Sequence, residues 1–129
     1  MNVLDENILA DQRQLLRHWK VPVRQIGYDA GRKGMKDDRV IPFLLTLRRP
    51  TLFTTDADFY KRDLCHSGYC LVHLDVDESE TADFVRRVLR HRKFDTHVKR
   101  MGVVIRASHS GLAAWRSHAK QEVHHTWTN

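Results

Sequence analysis

The sequence predicts an α/β domain. Short apolar runs alternate with longer amphipathic runs along the chain, the pattern of strands followed by packed helices. Three prolines and six glycines fall mostly at the boundaries between these runs. No internal repeat, low-complexity run or linker interrupts the alternation.

Met1 to Leu4 reads as a short apolar strand that ends in Asp5-Glu6. Ile8 to Lys20 follows as a helix, because Ile8, Leu15, Leu16 and Trp19 share one face at helical spacing. Val21 to Ile26 reads as a second strand, entered through Pro22. Gly27 to Asp37 is polar, carries Gly27, Gly31 and Gly34, and reads as a loop. Asp38 is placed to cap a helix through Ile41, Phe43, Leu44, Leu45 and Leu47, with Pro42 near its start.

Thr51 to Thr55 reads as a third strand ending at Asp56, with a short helix from Ala57 to Arg62. Tyr69 to Leu74 is a fourth strand. Asp77 with Glu80 fits a capping box for a helix that runs to about Lys93, with Phe84, Val85, Val88 and Leu89 inward. Gly102 to Ala107 is a fifth strand, and Ser108 to Gly111 is a turn. Leu112 to Ser117 reads as the returning arm of a C-terminal hairpin. The tail, residues 119–129, is polar apart from Val123 and Trp127 and is expected to be flexible.

A length of 129 residues supports a single domain, residues 1–129, and not two. Hydrophobic residues are 41% and charged residues 29%, which excludes wholesale disorder. No segment approaches the roughly 18 uninterrupted apolar residues of a membrane span. The N-terminus lacks a basic stretch followed by an apolar one, so a cytoplasmic location is the expectation. Cys65 and Cys70 are too few for a disulfide framework and read as reduced thiols. The net charge of +6 favours phosphate-rich partners.

In an open α/β sheet, ligands bind outside the carboxyl ends of the parallel strands. Asp5-Glu6 ends the first strand, Asp56 ends the third with Asp58 two residues on, and Asp37-Asp38 opens a helix. Taken singly, each is an ordinary cap or turn former. Together they bring negative charge from three segments to one edge, at a cost unless something neutralises it. A divalent Mg²⁺ or Mn²⁺ suits such oxygen donors. Such an ion polarises a phosphoryl oxygen, activates water and steadies the leaving oxygen of a phosphodiester.

Four stretches in order resemble the PIN-like proteins. They are Val3-Leu4-Asp5-Glu6-Asn7, Gly34 to Ile41, Leu52-Phe53-Thr54-Thr55-Asp56-Ala57-Asp58-Phe59, and His66-Ser67-Gly68-Tyr69 with the strand that follows. They span about the first three-fifths of the chain. The resemblance implies a three-layer fold with a mostly parallel central sheet. It also implies a metal-dependent ribonuclease, the toxin half of a toxin–antitoxin pair of the VapC type. It maps the family's acidic positions to Asp5, Asp38, Asp56 and Asp58, with Asp5, Asp38 and Asp56 as metal ligands. Asp38 is preferred to Asp37 because it stands three residues before Ile41. The implied partners are RNA, an antitoxin protein and a second copy of the chain. Arg39-Val40 stands where the family often carries an acidic pair. That departure is the cue for the alternative, a catalytically silent module that binds RNA or a protein.

Arg32, Lys33 and Lys36 on the glycine-rich loop, with Lys61 and Arg62 after Asp58, are placed to hold an RNA backbone. Arg86, Arg87, Arg90 and Lys93 form a second basic face that reads more simply as a solvated helix surface. Asp5-Glu6 and Asp56 also mimic a receiver with a phosphoacceptor aspartate. The match stops there, because Leu74 is followed by Asp75 and no Lys-Pro pair ends the fifth strand. Cys65-His66, Cys70 and His73 do not have the usual zinc spacing.

Overall fold

The computed structural model describes residues 1–128. Seven strands form one sheet in the order β2-β1-β3-β4-β5-β6-β7. They are β1 Asn2–Leu4, β2 Arg24–Gln25, β3 Thr51–Thr54, β4 Cys70–Leu74, β5 Val103–Ser108, β6 Gly111–Arg116 and β7 Val123–His125. The pairs among β1 to β5 are parallel, and β6 and β7 add antiparallel. The helices are α1 Ala10–His18, α2 Asp37–Leu44, α3 Thr81–Arg90 and α4 His97–Arg100.

Strand residues alternate between two faces, and each face has its own core. Leu4, Phe53, Val72 and Ile105 pack with Leu16 of α1 and with Phe84, Val85 and Val88 of α3. Val3, Leu52, Leu71 and Val104 pack with Val40 and Leu44 of α2 and with Phe59. The sheet is therefore covered on both sides, which a parallel sheet requires. Cys70 lies in the first of these cores, wholly buried, and burial pushes its thiol up to about 12.

Several elements differ from the sequence expectation, for physical reasons. The second strand shrinks to Arg24–Gln25, since Pro22 has no N–H to give a ladder. The helix expected after Asp56 splits into 3₁₀ turns at Ala57–Phe59 and Arg62–Leu64. Asp77 caps a 3₁₀ turn at Glu78–Glu80 by accepting from the Ser79 N–H, so α3 begins only at Thr81. Glu80 does not close a capping box; its carboxylate meets His109 Nε2 at 3.0 Å. The helix stops at Arg90, where His91 turns extended and its Nδ1 accepts from the Lys93 N–H at 3.1 Å.

The C-terminal hairpin forms as β5 and β6, and residues expected to fray make a further strand. β7 pairs with β6, and Trp127 donates its indole N–H to the Ser108 carbonyl at 2.6 Å while packing on the α3 side of the core. Residue 129, also in the tail expected to be flexible, lies outside the described residues. The Arg86 and Arg87 guanidinium groups are occupied: they stack on Trp19 at 3.6 Å and on Trp127 at 4.5 Å. No helix among the described residues is long and apolar enough to cross a membrane.

The hairpin depends on Gly111. Its φ is +144°, and an added Cβ would meet the His125 carbonyl oxygen at 2.5 Å. Gly111→Ala is expected to cost about 1–3 kcal/mol, by strain and by pushing β7 away. Gly34→Ala, at φ +75° with nothing within 4 Å, is expected to cost about 1 kcal/mol or less. Urea unfolding of the two variants measures the order, and equal midpoints would refute it.

Candidate functional site

β1 leads through α1 to β2 on one side of it, and β2 leads through α2 to β3 on the other. The chain thus reverses direction across the sheet at β1, and the carboxyl ends of β1 and β3 open the crevice that binds ligands in such sheets. Asp5 leaves β1 there, Asp56 and Asp58 follow β3, and α2 begins there with Asp37.

Asp37, Asp56 and Asp58 each offer a carboxylate oxygen, and these oxygens all lie within 4.8 Å of one another. No other group of at least three His, Cys, Asp or Glu side chains is so arranged among the described residues. Asp5 stands at the inner edge of the group. Its Oδ1 accepts from the Glu6 N–H at 2.8 Å, and its Oδ2 accepts from the Thr54 hydroxyl at 2.7 Å. Thr54 Oγ1 in turn accepts from the Asp56 N–H at 3.0 Å, and Asp56 Oδ1 accepts from the Asp58 N–H at 2.9 Å. One chain of hydrogen bonds therefore fixes Asp5, Thr54, Asp56 and Asp58 relative to each other.

Crowding raises the Asp37 carboxyl above its ordinary range. Desolvation is the main cause, followed by the Asp56 charge and a hydrogen bond with Asp56, then the charges of Asp5 and Asp58. Two carboxylates in contact share a proton more easily than either ionises fully.

The helix delivers Asp37 to this group, not Asp38, which is exposed and stands outside it. The reason is the helical repeat. Val40 and Leu44 are the buried residues of α2, and Asp37 lies three and seven residues before them, on the same face. Ile41, the residue that favoured Asp38, is only half buried.

Glu6 has a different task. Its carboxylate accepts from the Gly34 N–H at 2.8 Å and pins the glycine-rich loop beside the carboxylates. On that loop Arg32, Lys33 and Lys36 line an open cavity of about 820 Å³ with Arg39, Met35 and Phe43. No acidic side chain lines it. Lys61 is exposed, whereas Arg62 stacks on Trp115 at 5.8 Å. His73, on β4 beside Thr54, is buried with an unpartnered Nδ1. Burial lowers its pKa, with Arg106 acting in the same direction, against the upward pulls of Asp75, Asp56 and a hydrogen bond with the Thr55 backbone.

Thr54 and His73 stand beside the carboxylates without having been read as part of the site, and Glu6, read with Asp5 as part of the acidic edge, instead holds the loop. The D-x-D spacing drew attention to Asp56 and Asp58, and the hydroxyl two residues earlier was the available signal for the Thr54 link. No family model, curated protein or solved structure matches the chain.

The raised Asp37 pKa has a signed consequence. A carboxyl raised in the folded state favours folding below its unfolded pKa, and that advantage is lost as pH rises through the folded value. At pH 7 without divalent ions, Asp37 is thus a repulsive charge. Asp37→Asn is expected to melt about 1–3 °C above wild type in EDTA at pH 7, the gain fading as pH falls through the ordinary carboxylate range. Thermal melts at several pH values test this, and a lower melting point at pH 7 would refute it.

Proposed function

We propose that the chain is a PIN-like ribonuclease that uses Mg²⁺ or Mn²⁺. The observation that carries this reading is the convergence of Asp5, Asp37, Asp56 and Asp58 from three segments at the crevice of a doubly wound sheet. The donor set is all oxygen, as hard cations prefer. The three carboxylate oxygens within 4.8 Å of one another would hold such an ion. Bound there, the ion supplies charge neutralisation at the phosphoryl oxygen and activation of water.

The side chains divide the remaining work. Asp37, Asp56 and Asp58 would hold the ion, and Asp5 could add to them because each of its oxygens keeps a free lone pair. Thr54 is a positioning residue that ties Asp5 to the Asp56 backbone. Arg32, Lys33, Lys36 and Arg39 attract the RNA backbone to the loop that Glu6 pins. Through the VapC resemblance, the same proposal includes a toxin role in the cytoplasm, an antitoxin partner and a homodimer.

Cleavage of structured and single-stranded RNA with Mn²⁺, Mg²⁺ or EDTA is the direct test. Divalent-dependent cleavage is expected, abolished in Asp5→Asn, Asp37→Asn and Asp56→Asn and retained in Asp38→Asn. Thr54→Val, which keeps the buried shape, is expected to lose about 10–100-fold in rate or metal affinity. Cleavage that survives EDTA or Asp56→Asn would sink the proposal. RNA bound without turnover under every condition would replace it with the silent binding module.

One observation favours a second reading. The order β2-β1-β3-β4-β5 is also that of flavodoxin and receiver domains. A phosphoacceptor at Asp56 would be labelled by acetyl phosphate, and a chain left unlabelled by it removes that reading.

A further inference from the structure

The carboxylates have a neighbour on the same face of the sheet that the proposed function leaves unused. Thr54 of β3 is in register with His73 of β4, and His73 with Arg106 of β5. Arg106 is in register with Ala113 of β6, and Ala113 with His124 of β7. Residues in register share a face, so a row of mostly polar side chains runs from the carboxylates across five strands.

Arg106 occupies the middle of this row. Its guanidinium makes no ion pair among the described residues. It stacks on the Tyr60 ring at 5.3 Å, and Tyr60 is itself held by a hydrogen bond from its hydroxyl to Glu122. The cation is therefore oriented but not neutralised. It borders a cavity of about 180 Å³ lined also by Ser108, Ser110, Ala113, His124 and Thr126. No carboxylate lines this cavity. The Ser108 and Ser110 hydroxyls are hydrogen-bonded to each other at 2.9 Å, which holds the pair together and leaves the second hydroxyl's proton to reach an acceptor in the cavity. The volume is that of about six waters.

A planar guanidinium with two hydroxyls fits a phosphate by charge and by fork geometry. We propose that Arg106, Ser108 and Ser110 form a phosphate subsite for a single RNA strand whose reacting phosphate lies at the carboxylates. The proposal rests on the nuclease reading. β3 and β5 are two strand spacings apart, on the order of 10 Å. That distance is about three stacked nucleotide steps. Cleavage would need nucleotides on the Arg106 side of the cut.

The test uses the full chain without metal, so that binding is read apart from chemistry. Inorganic phosphate is titrated while the Arg106 Nε–H resonance is followed by NMR, and binding of an eight-nucleotide oligouridylate is measured in EDTA at several salt concentrations. Phosphate is expected to shift the Arg106 resonance. Arg106→Gln is expected to weaken the octamer about tenfold or more and to lower the salt slope by about 0.7. Arg106→Lys is expected to restore the slope but not the full affinity, since the charge returns without the fork. Ser110→Ala, at an exposed turn, is a second variant, expected to weaken phosphate without disturbing the fold.

An unmoved Arg106 resonance would overturn the subsite. So would an Arg106→Gln chain that binds the octamer with wild-type affinity and slope, or a wild-type chain that does not bind it. If phosphate and octamer respond as expected but Mn²⁺ gives no cleavage, the nuclease reading falls and the subsite stands.

Discussion

Gln25 is wholly buried at the end of β2, and its side-chain amide reaches three carbonyls of the turn after β1. It donates to the oxygens of Asp5, Glu6 and Ile8 at 3.0, 3.2 and 2.7 Å. Its own oxygen accepts from Arg13 of α1 at 2.9 Å. Each such bond is worth about 1 kcal/mol net, but a buried carbonyl left unpaired costs more. The amide therefore decides the path of the turn. With the turn fixed, Asp5 points to Thr54 and Glu6 to the loop at Gly34. The crevice between β1 and β3 inherits its shape from one residue of an edge strand.

The second constraint is electrostatic. Three carboxylates meet, with Asp5 at their edge, in a chain of net charge +6, and none of its cations lies in the group. Backbone N–H groups and one hydroxyl hold Asp5 and Asp56 in place. Asp37 has no such donor, and desolvation first, then the charge of Asp56 and a hydrogen bond with it, raise its carboxyl. Lys33, Lys36 and Arg106 line cavities without carboxylates and close no ion pairs among the described residues.

The α/β class, the central strands and the hairpin were legible because each has its own local pattern. Apolar runs marked β3, β4 and β5, and the turn at Ser108 to Gly111 marked the reversal into β6. β7 and α4 were not legible. His124 and Val123 carry no strand signal, and β7 exists because β6 offers it a free edge. α4 spans His97–Arg100 only, and its buried Arg100 is satisfied by tertiary contacts, donating to Thr51 Oγ1 at 3.0 Å and the Phe94 carbonyl at 2.7 Å. At the site, the acidic residue types could be read from order and spacing. The choice between Asp37 and Asp38 could not, because it depends on which face of α2 meets the sheet.

Register across strands adds a kind of information that no local window contains. Thr54, His73 and Arg106 are separated by 19 and 33 positions in the chain, yet they stand side by side. Each is polar at a position where the strand would otherwise place an apolar residue against α2 or the 3₁₀ turns. Leu52, Leu71 and Val104, two residues earlier on the same strands and the same face, obey the apolar rule. The face thus changes from apolar to polar in a single step on three adjacent strands. A core that turns polar in one line across a sheet marks a change in what the covering layer packs against, since Thr54 and His73 at that level are still buried. At that level His73 stands in register between Thr54 and Arg106, buried with an unpartnered Nδ1, and burial lowers its pKa.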